Sequence, residues 1–278
     1  MLVLLGVASP RAGAGDWLLP PIAGELAGEF KALAVPGAPS LHWTLQLRND
    51  APGAHTGQLA VTGPGTTAHA EFTLDAAGNG TWRLVDGSVS LAAWLAGQFS
   101  AGEATVNGEG TLQGGALVGT LNVALRDVDL GELVNFTDAT HQYVRTAKGR
   151  VEGRVVIRLA AGAPPAFSGG VRLVNGTVGV ITLQPSPGLL TNYVPAQVRK
   201  LYPGFEALEL GQTSLEAGVL RLTFLPTGDA AGRTAVLRIE GHPIDPKIIA
   251  PLELDINVSG PLEGLLRKAL NSRLRIGK

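Results

Sequence analysis

Cysteine is absent from all 278 residues, which excludes disulfides, thiolate nucleophiles and cysteine metal sites. The same absence says little about compartment, because exported bacterial proteins often lack cysteine. Aromatic residues make up only 5% of the chain and charged residues 16%, so the surface is not heavily charged. The 22 Lys+Arg nearly balance the 23 Asp+Glu, for a net charge of −1. That balance leaves no electrostatic footprint for a polyanion, and nucleic acid is not an expected partner. No segment reaches the ~20 uninterrupted apolar residues of a membrane-crossing helix, so the mature chain is not expected to span a bilayer.

Glycine and proline are plentiful, at 38 and 18 residues, beside a 45% hydrophobic content that suffices for a substantial core. Glycine-bracketed cassettes recur at Gly24-Glu-Leu-Ala-Gly28, Gly57 to Gly63, Gly102 to Gly108, Gly115-Ala-Leu-Val-Gly119, Gly149-Arg-Val-Glu-Gly153 and Gly170 to Gly176. Each opens a stretch of alternating apolar and polar residues, the period-two signature of a strand with two unlike faces. The clearest is Leu41-His-Trp43-Thr-Leu45-Gln-Leu47-Arg, followed by Ala70-Glu-Phe72-Thr-Leu74. Thr81 to Val85 then lies between Asn79-Gly80 and Asp86-Gly87, both read as tight hairpin turns.

Further strands are expected at Gly102 to Asn107, Gly110 to Gln113, Thr120 to Arg126 and Arg150 to Leu159. Three regular ones follow at Leu220 to Phe224, Ala235 to Glu240 and Leu252 to Val258, with turns at Gly211 and Gly218 and a loop at Thr227-Gly228-Asp229. The pattern predicts a mostly β fold, a long antiparallel meander of about sixteen strands.

Two segments break the alternation. Around 189–202 apolar residues recur at helical steps, with Pro195 acceptable as a first helical residue and Pro203-Gly204 as the end, which predicts a helical insert. From Pro261 to about Asn271 a short amphipathic C-terminal helix is expected, acidic in its first turn and basic near its end. The same strand grammar from residue 20 to 258, with no low-complexity linker, predicts one continuous domain over 15–278. Leu2 to Ala8 forms a short apolar run followed by the small-x-small pattern Ala12-Gly13-Ala14. Residues 1–14 are therefore read as a signal peptide, with export and a mature start near Gly15.

Catalytic chemistry is not signalled. His42, His55, His69, His141 and His242 are dispersed, without the close spacing of a metal site, and neither a metal nor another cofactor is expected. Ser168 and Ser259 do not sit in a nucleophile elbow. Asp127 and Asp129 would share one strand face, with Glu132 nearby, leading into a turn over Leu130 to Val134. Two such acids could serve glycoside chemistry, but a solvated strand end explains them more simply. Glu253 and Asp255 alternate with Leu252, Leu254 and Ile256 as an exposed face would. The apolar face is then either the core of a sandwich or barrel, or an open trough that something must occupy. The residues leave both readings open.

Several segments resemble the C-terminal domain of YdbH-like proteins, also labelled a dicarboxylate-transport domain. They are Gly149 through Gly176, the helical insert, Phe205-Glu206-Ala-Leu-Glu209-Leu, Arg238-Ile-Glu-Gly-His-Pro243, and Pro251 through Leu265 with its strand, Gly-Pro-Leu and helix ending. The likeness covers roughly residues 100 to 270. It implies kinship with AsmA-like and TamB-like envelope proteins, whose sheets curl into open hydrophobic grooves thought to pass phospholipids between the two membranes of Gram-negative bacteria. The chain is far shorter than a bridge across the envelope, so a fragment, a stacking module or a periplasmic carrier is expected.

The resemblance further implies a non-enzymatic, periplasmic lipid-binding β-groove (β-taco-like). Acyl chains would rest on Leu121, Val123, Leu125, Val155, Ile157, Leu159, Leu222, Leu237, Leu254 and Ile256. A phospholipid or other acyl lipid is the implied ligand, and an envelope lipoprotein pairing at an edge strand a plausible protein partner. A non-lipid envelope scaffold or protein-binding β-sandwich is the alternative.

Overall fold

The computed structural model of the chain describes residues 23–31, 39–51, 53–95, 98–114, 116–136, 144–163, 165–193, 195–201, 204–225, 233–244 and 252–259. The expected signal peptide, His141, the Thr227-Gly228-Asp229 loop and the expected C-terminal helix lie outside them. The strands are β1 (Gly24–Lys31), β2 (Ser40–Ala51), β3 (Ala54–Gly63), β4 (Thr66–Leu74), β5 (Gly80–Ser90), β6 (Glu103–Gln113) and β7 (Ala116–Asp129). They continue as β8 (Val144–Lys148), β9 (Arg150–Leu159), β10 (Ala166–Leu173), β11 (Gly179–Leu183), β12 (Leu215–Phe224), β13 (Arg233–Pro243) and β14 (Leu252–Ser259). The helices are short: α1 (Leu91–Trp94), α2 (Leu130–Phe136), a 3-10 turn at Thr191–Tyr193, α3 (Ala196–Leu201) and α4 (Gly204–Glu209).

The fold is mostly β, a 14-stranded antiparallel sheet in the order β1-β2-β3-β4-β5-β6-β7-β9-β10-β12-β11-β8, with β13 on β12 and β14 on β13. The sheet is open: among the described residues β1 pairs only β2, and β14 pairs only β13. The apparent crossover at β8 has a local cause. Gly149, at φ +139, bends the chain between β8 and β9, and the turn at Val174–Gly176 interrupts β10 and β11 likewise. β12 spans both interruptions, pairing β10 through Arg221–Phe224 and β11 through Leu215–Ala217. With β8–β9 and β10–β11 each counted as one bent strand, every strand neighbours its successor in sequence. That is the expected meander, with fourteen strands rather than about sixteen.

By contacts the chain forms two compact units. Of the described residues, the first holds those within 23–97, 103–124 and 156–166, and the second those within 98–102, 125–155 and 167–259. In the first, β2 shows the alternation its sequence demands: Leu41 is buried, Trp43, Leu45 and Leu47 are half-buried, and His42, Thr44, Gln46 and Arg48 are exposed. The core lies at one end of this apolar face. Leu41, Val61 and Trp94 are 0%, 3% and 8% exposed, with Trp43, Leu59, Ala68 and Val89 packed around them. α1 delivers Trp94, its N-terminus capped by the Ser90 hydroxyl, which accepts from Ala93 N at 3.4 Å. The Trp94 indole N–H donates to the Thr66 hydroxyl.

In the second unit, Leu208 on α4 (0% exposed) packs at β11, whose Ile181 and Leu183 are buried, and the neighbouring Leu215 and Ala217 of β12 are buried too. The helical insert is therefore present, but Gly204 begins α4 and does not end the preceding helix.

Several expectations need correction. Asp86-Gly87 is not a hairpin turn. It lies inside β5, where the register slips against β4 between His69 and Ala70, a bulge that turns Val85 outward to 41% exposure. Gly218 likewise is a bulge within β12, not a turn, and leaves Val219 37% exposed. The strands expected at Gly102 to Asn107 and Gly110 to Gln113 are the single strand β6. The turn over Leu130 to Val134 is helix α2. His242 belongs to β13, directly opposite Glu216, and is not in a turn.

Candidate functional site

The most extended chemical feature in each unit is an apolar sheet face, because residues directly opposite one another on paired strands share a face. In the first unit, Leu26, Leu45, Leu59, Ala70 and Leu84 stand opposite one another across β1 to β5 as one row. Leu47, Gly57, Phe72 and Trp82 form the next row. Beyond the cluster under α1 these side chains are half-buried, and Leu26 is 51% exposed.

The glycines of these rows do more than permit turns. Gly28 stands opposite Trp43 and Gly57 opposite Phe72. A methyl group at Gly28 would lie 2.8 Å from the Trp43 ring, and one at Gly57 would overlap the Phe72 ring. Each ring thus lies across bare backbone on the neighbouring strand and shields it. Trp82, opposite Gly110, reaches one strand further: a methyl group at Gly119 would lie 2.9 Å from its ring, and its indole N–H donates to the Val118 carbonyl at 3.3 Å.

In the second unit, Val171, Leu222, Leu237 and Ile256 are direct partners across β10, β12, β13 and β14. The row beside it holds Leu220, Ile239 and Leu254. Coverage falls along β12, from Leu215 (2% exposed), Ala217 (0%) and Leu220 (6%) near the helical insert to half-buried Leu222 and Phe224. Leu237 is half-buried as well, whereas small Ala235, between Phe224 and Val258, is buried.

Of the sequence-expected residues, Leu222, Leu237 and Ile256 are brought into one row, and Leu254 into the adjacent one. Leu125 on β7 and Val155 on β9 belong to the same unit and are half-buried. Val123, Ile157 and Leu159 belong to the first unit, also half-buried. Leu121 differs: at 5% exposure it packs as core, its side chain close against Gly108. Sequence reasoning missed the first unit's rows as candidates, although their strands were read. The missing step was register, and the two-residue Pro64–Gly65 turn supplies it for β3 and β4.

The polar face of the first unit carries a depression of about 330 Å³. It is lined chiefly by Gln46, Arg48, Gln58, Glu71, Thr73 and Arg83. Asp127 has φ +51 and interrupts the alternation of β7. Exposed Asp127 pairs with Arg150 at 3.6 Å, and Asp129 accepts from Glu132 N at 3.0 Å as the N-terminal cap of α2. Both acids thus have structural partners. His55 is buried, its Nδ1 2.7 Å from Asn49 Oδ1. Among the described residues no cluster of metal-ligating side chains is found, and no helix is long and apolar enough to cross a membrane.

Glu209 is the buried carboxylate among the described residues, 3% exposed, and it organises the helical insert. It accepts from Leu190 N and Thr191 N at 3.0 Å each and from the Thr191 hydroxyl at 2.9 Å. Burial alone would raise its pKa. The backbone donors of Thr191, Leu190 and Gly188 with the Thr191 hydroxyl outweigh burial and hold it below the ordinary value.

Comparison with protein-family models, with curated proteins and with solved structures found no match.

Proposed function

We propose that this chain is a non-enzymatic lipid-binding protein of the cell envelope, holding acyl chains against its apolar sheet faces. The observation that supports this reading is the pattern of coverage. In each unit, short helices bury the apolar face at one end, and the rows that continue from there leave Leu45, Leu47 and Phe72, or Leu222 and Leu237, half-buried. A sandwich core would bury such rows along their full length, whereas half-buried leucines in contiguous rows suit a ligand that is itself apolar. The likeness of residues 100 to 270 to YdbH-like domains points the same way, towards phospholipid handling in the periplasm.

Native mass spectrometry of the gently purified chain tests the reading, with phospholipid expected to co-purify. A lipid-free protein that also fails to take up fluorescent phospholipid would refute it. Ile157→Asp gives a second test: the variant should stay folded while losing lipid, because a charge on a ligand-facing position repels the acyl chain without being trapped in a core. Unfolding of that variant would count against the proposal.

A further inference from the structure

The opposite, polar face of the second unit holds a cross-strand row of three arginines whose middle member has no acid partner. Arg172 stands directly opposite Arg221, Arg221 opposite Arg238, and Arg238 opposite Asp255. Guanidinium groups from β10, β12 and β13 therefore stand side by side on three adjacent strands. Acids serve only the two ends. Glu152 pairs with Arg172 at 2.9 Å. Arg238 meets Glu240 at 2.7 Å, Asp255 at 3.9 Å, and also Glu253.

The middle residue, Arg221, is exposed and has no ion pair or hydrogen bond among the described residues. Arg154, two positions along β9 from Glu152 and so on the same face, is exposed and equally unpaired. Between them runs bare backbone. The Arg154 carbonyl lies against Gly169, and any side chain at Gly170 would collide with the Leu222 carbonyl.

Like charges directly opposite on paired strands destabilise a sheet, and here two such oppositions occur in succession. An oxyanion would relieve both. Guanidinium forks match phosphate oxygens in pairs, and side chains on adjacent strands, about 5 Å apart at Cβ, can share one phosphate. We propose that Arg154, Arg172 and Arg221 form a binding site for a phosphate oxyanion, either free or carried on a lipid headgroup. The site faces away from the Leu222, Leu237 and Ile256 row, so it stands or falls independently of acyl-chain binding.

The test uses the full chain at fixed ionic strength. Inorganic phosphate is titrated by calorimetry and thermal shift against chloride, and flotation compares phosphatidylcholine vesicles with and without phosphatidic acid. Binding in either arm is expected, weakened about tenfold or more by Arg221→Gln or Arg154→Gln, the loss of a charge-assisted contact. Arg199→Gln, at an exposed arginine of α3, should leave it unchanged. Without ligand, Arg221→Gln should melt no lower than the parent, because it removes the like-charge oppositions. Dependence on Arg221 for vesicles alone assigns the headgroup as the source, and dependence for inorganic phosphate assigns the free anion. The proposal is overturned if neither probe binds, or if Arg221→Gln binds within about twofold of the parent.

Discussion

Leu237 and Ile239 lie two residues apart on the same face of β13, yet the first is half-buried and the second 3% exposed. Truncating each to alanine separates a ligand-facing surface from a core. Ile239 is closed in between Leu220 and Leu254, so Ile239→Ala should leave a cavity and cost about 2–5 kcal/mol. Leu237 has an uncovered side, so no enclosed cavity forms. Only part of the transfer free energy of a leucine is lost, about 1 kcal/mol. For a chain of 278 residues the two losses correspond to melting shifts of about 3–9 °C and about 2 °C.

Urea denaturation of delipidated protein reads the stabilities, and the number of phospholipids per chain in native mass spectrometry reads the ligand. Leu237→Ala is expected to lose lipid at nearly full stability, and Ile239→Ala to lose stability first. If Leu237→Ala costs as much as Ile239→Ala and leaves the lipid content unchanged, Leu237 is core and the lipid-facing reading fails.

Gly57→Ala should destabilise by about 1–3 kcal/mol, because its methyl group is driven into the Phe72 ring. In a Phe72→Ala background the same change should become neutral or stabilising, a coupling that a double-mutant cycle in urea measures. Glu209→Gln tests the buried acceptor of the helical insert. The carboxyl pKa is depressed in the fold, so its contribution is present above the unfolded pKa and disappears as pH falls through the lower, folded value. Parent and variant should therefore differ most at neutral pH and converge in acid, and a gap that stays constant with pH would contradict the assignment. Asp129→Ala should cost about 1 kcal/mol through loss of the α2 cap. A thermal melt unchanged by that substitution would show that the cap contributes nothing.

How far the sequence discloses this molecule depends on which residues carry information locally. The alternation of Leu41 to Arg48, of Arg150 to Leu159 and of Leu220 to Phe224 is strong enough to locate strands and assign their faces, and β2, β9 and β12 contain them. Bulges defeat the same reading. Asp86-Gly87 has the composition of a hairpin turn, but pairing on both flanks holds β5 extended through it, and ladder hydrogen bonds outweigh a dipeptide preference. α1 and α2 escaped notice because helices of 4 and 7 residues are too short to show a helical period. Their caps, Ser90 and Asp129, sit at strand ends, where such residues also mark turns.

The site was legible in kind but not in arrangement. Periodicity identifies apolar faces, whereas only cross-strand register says that Leu222, Leu237 and Ile256 meet, or that Gly57 sits beneath Phe72. Register is set by turn lengths and bulges, each of which shifts every later pair by a residue. One short turn therefore carries inference across a single hairpin. The Pro64–Gly65 turn, joining Gly63 to Thr66, is enough to place Gly57 opposite Phe72. The bulge at Gly218 shows where counting stops: a register extrapolated from the Thr223–Val236 pair past that point would misassign Glu216 and Ala217, and with them the faces that separate the arginine row from the leucines.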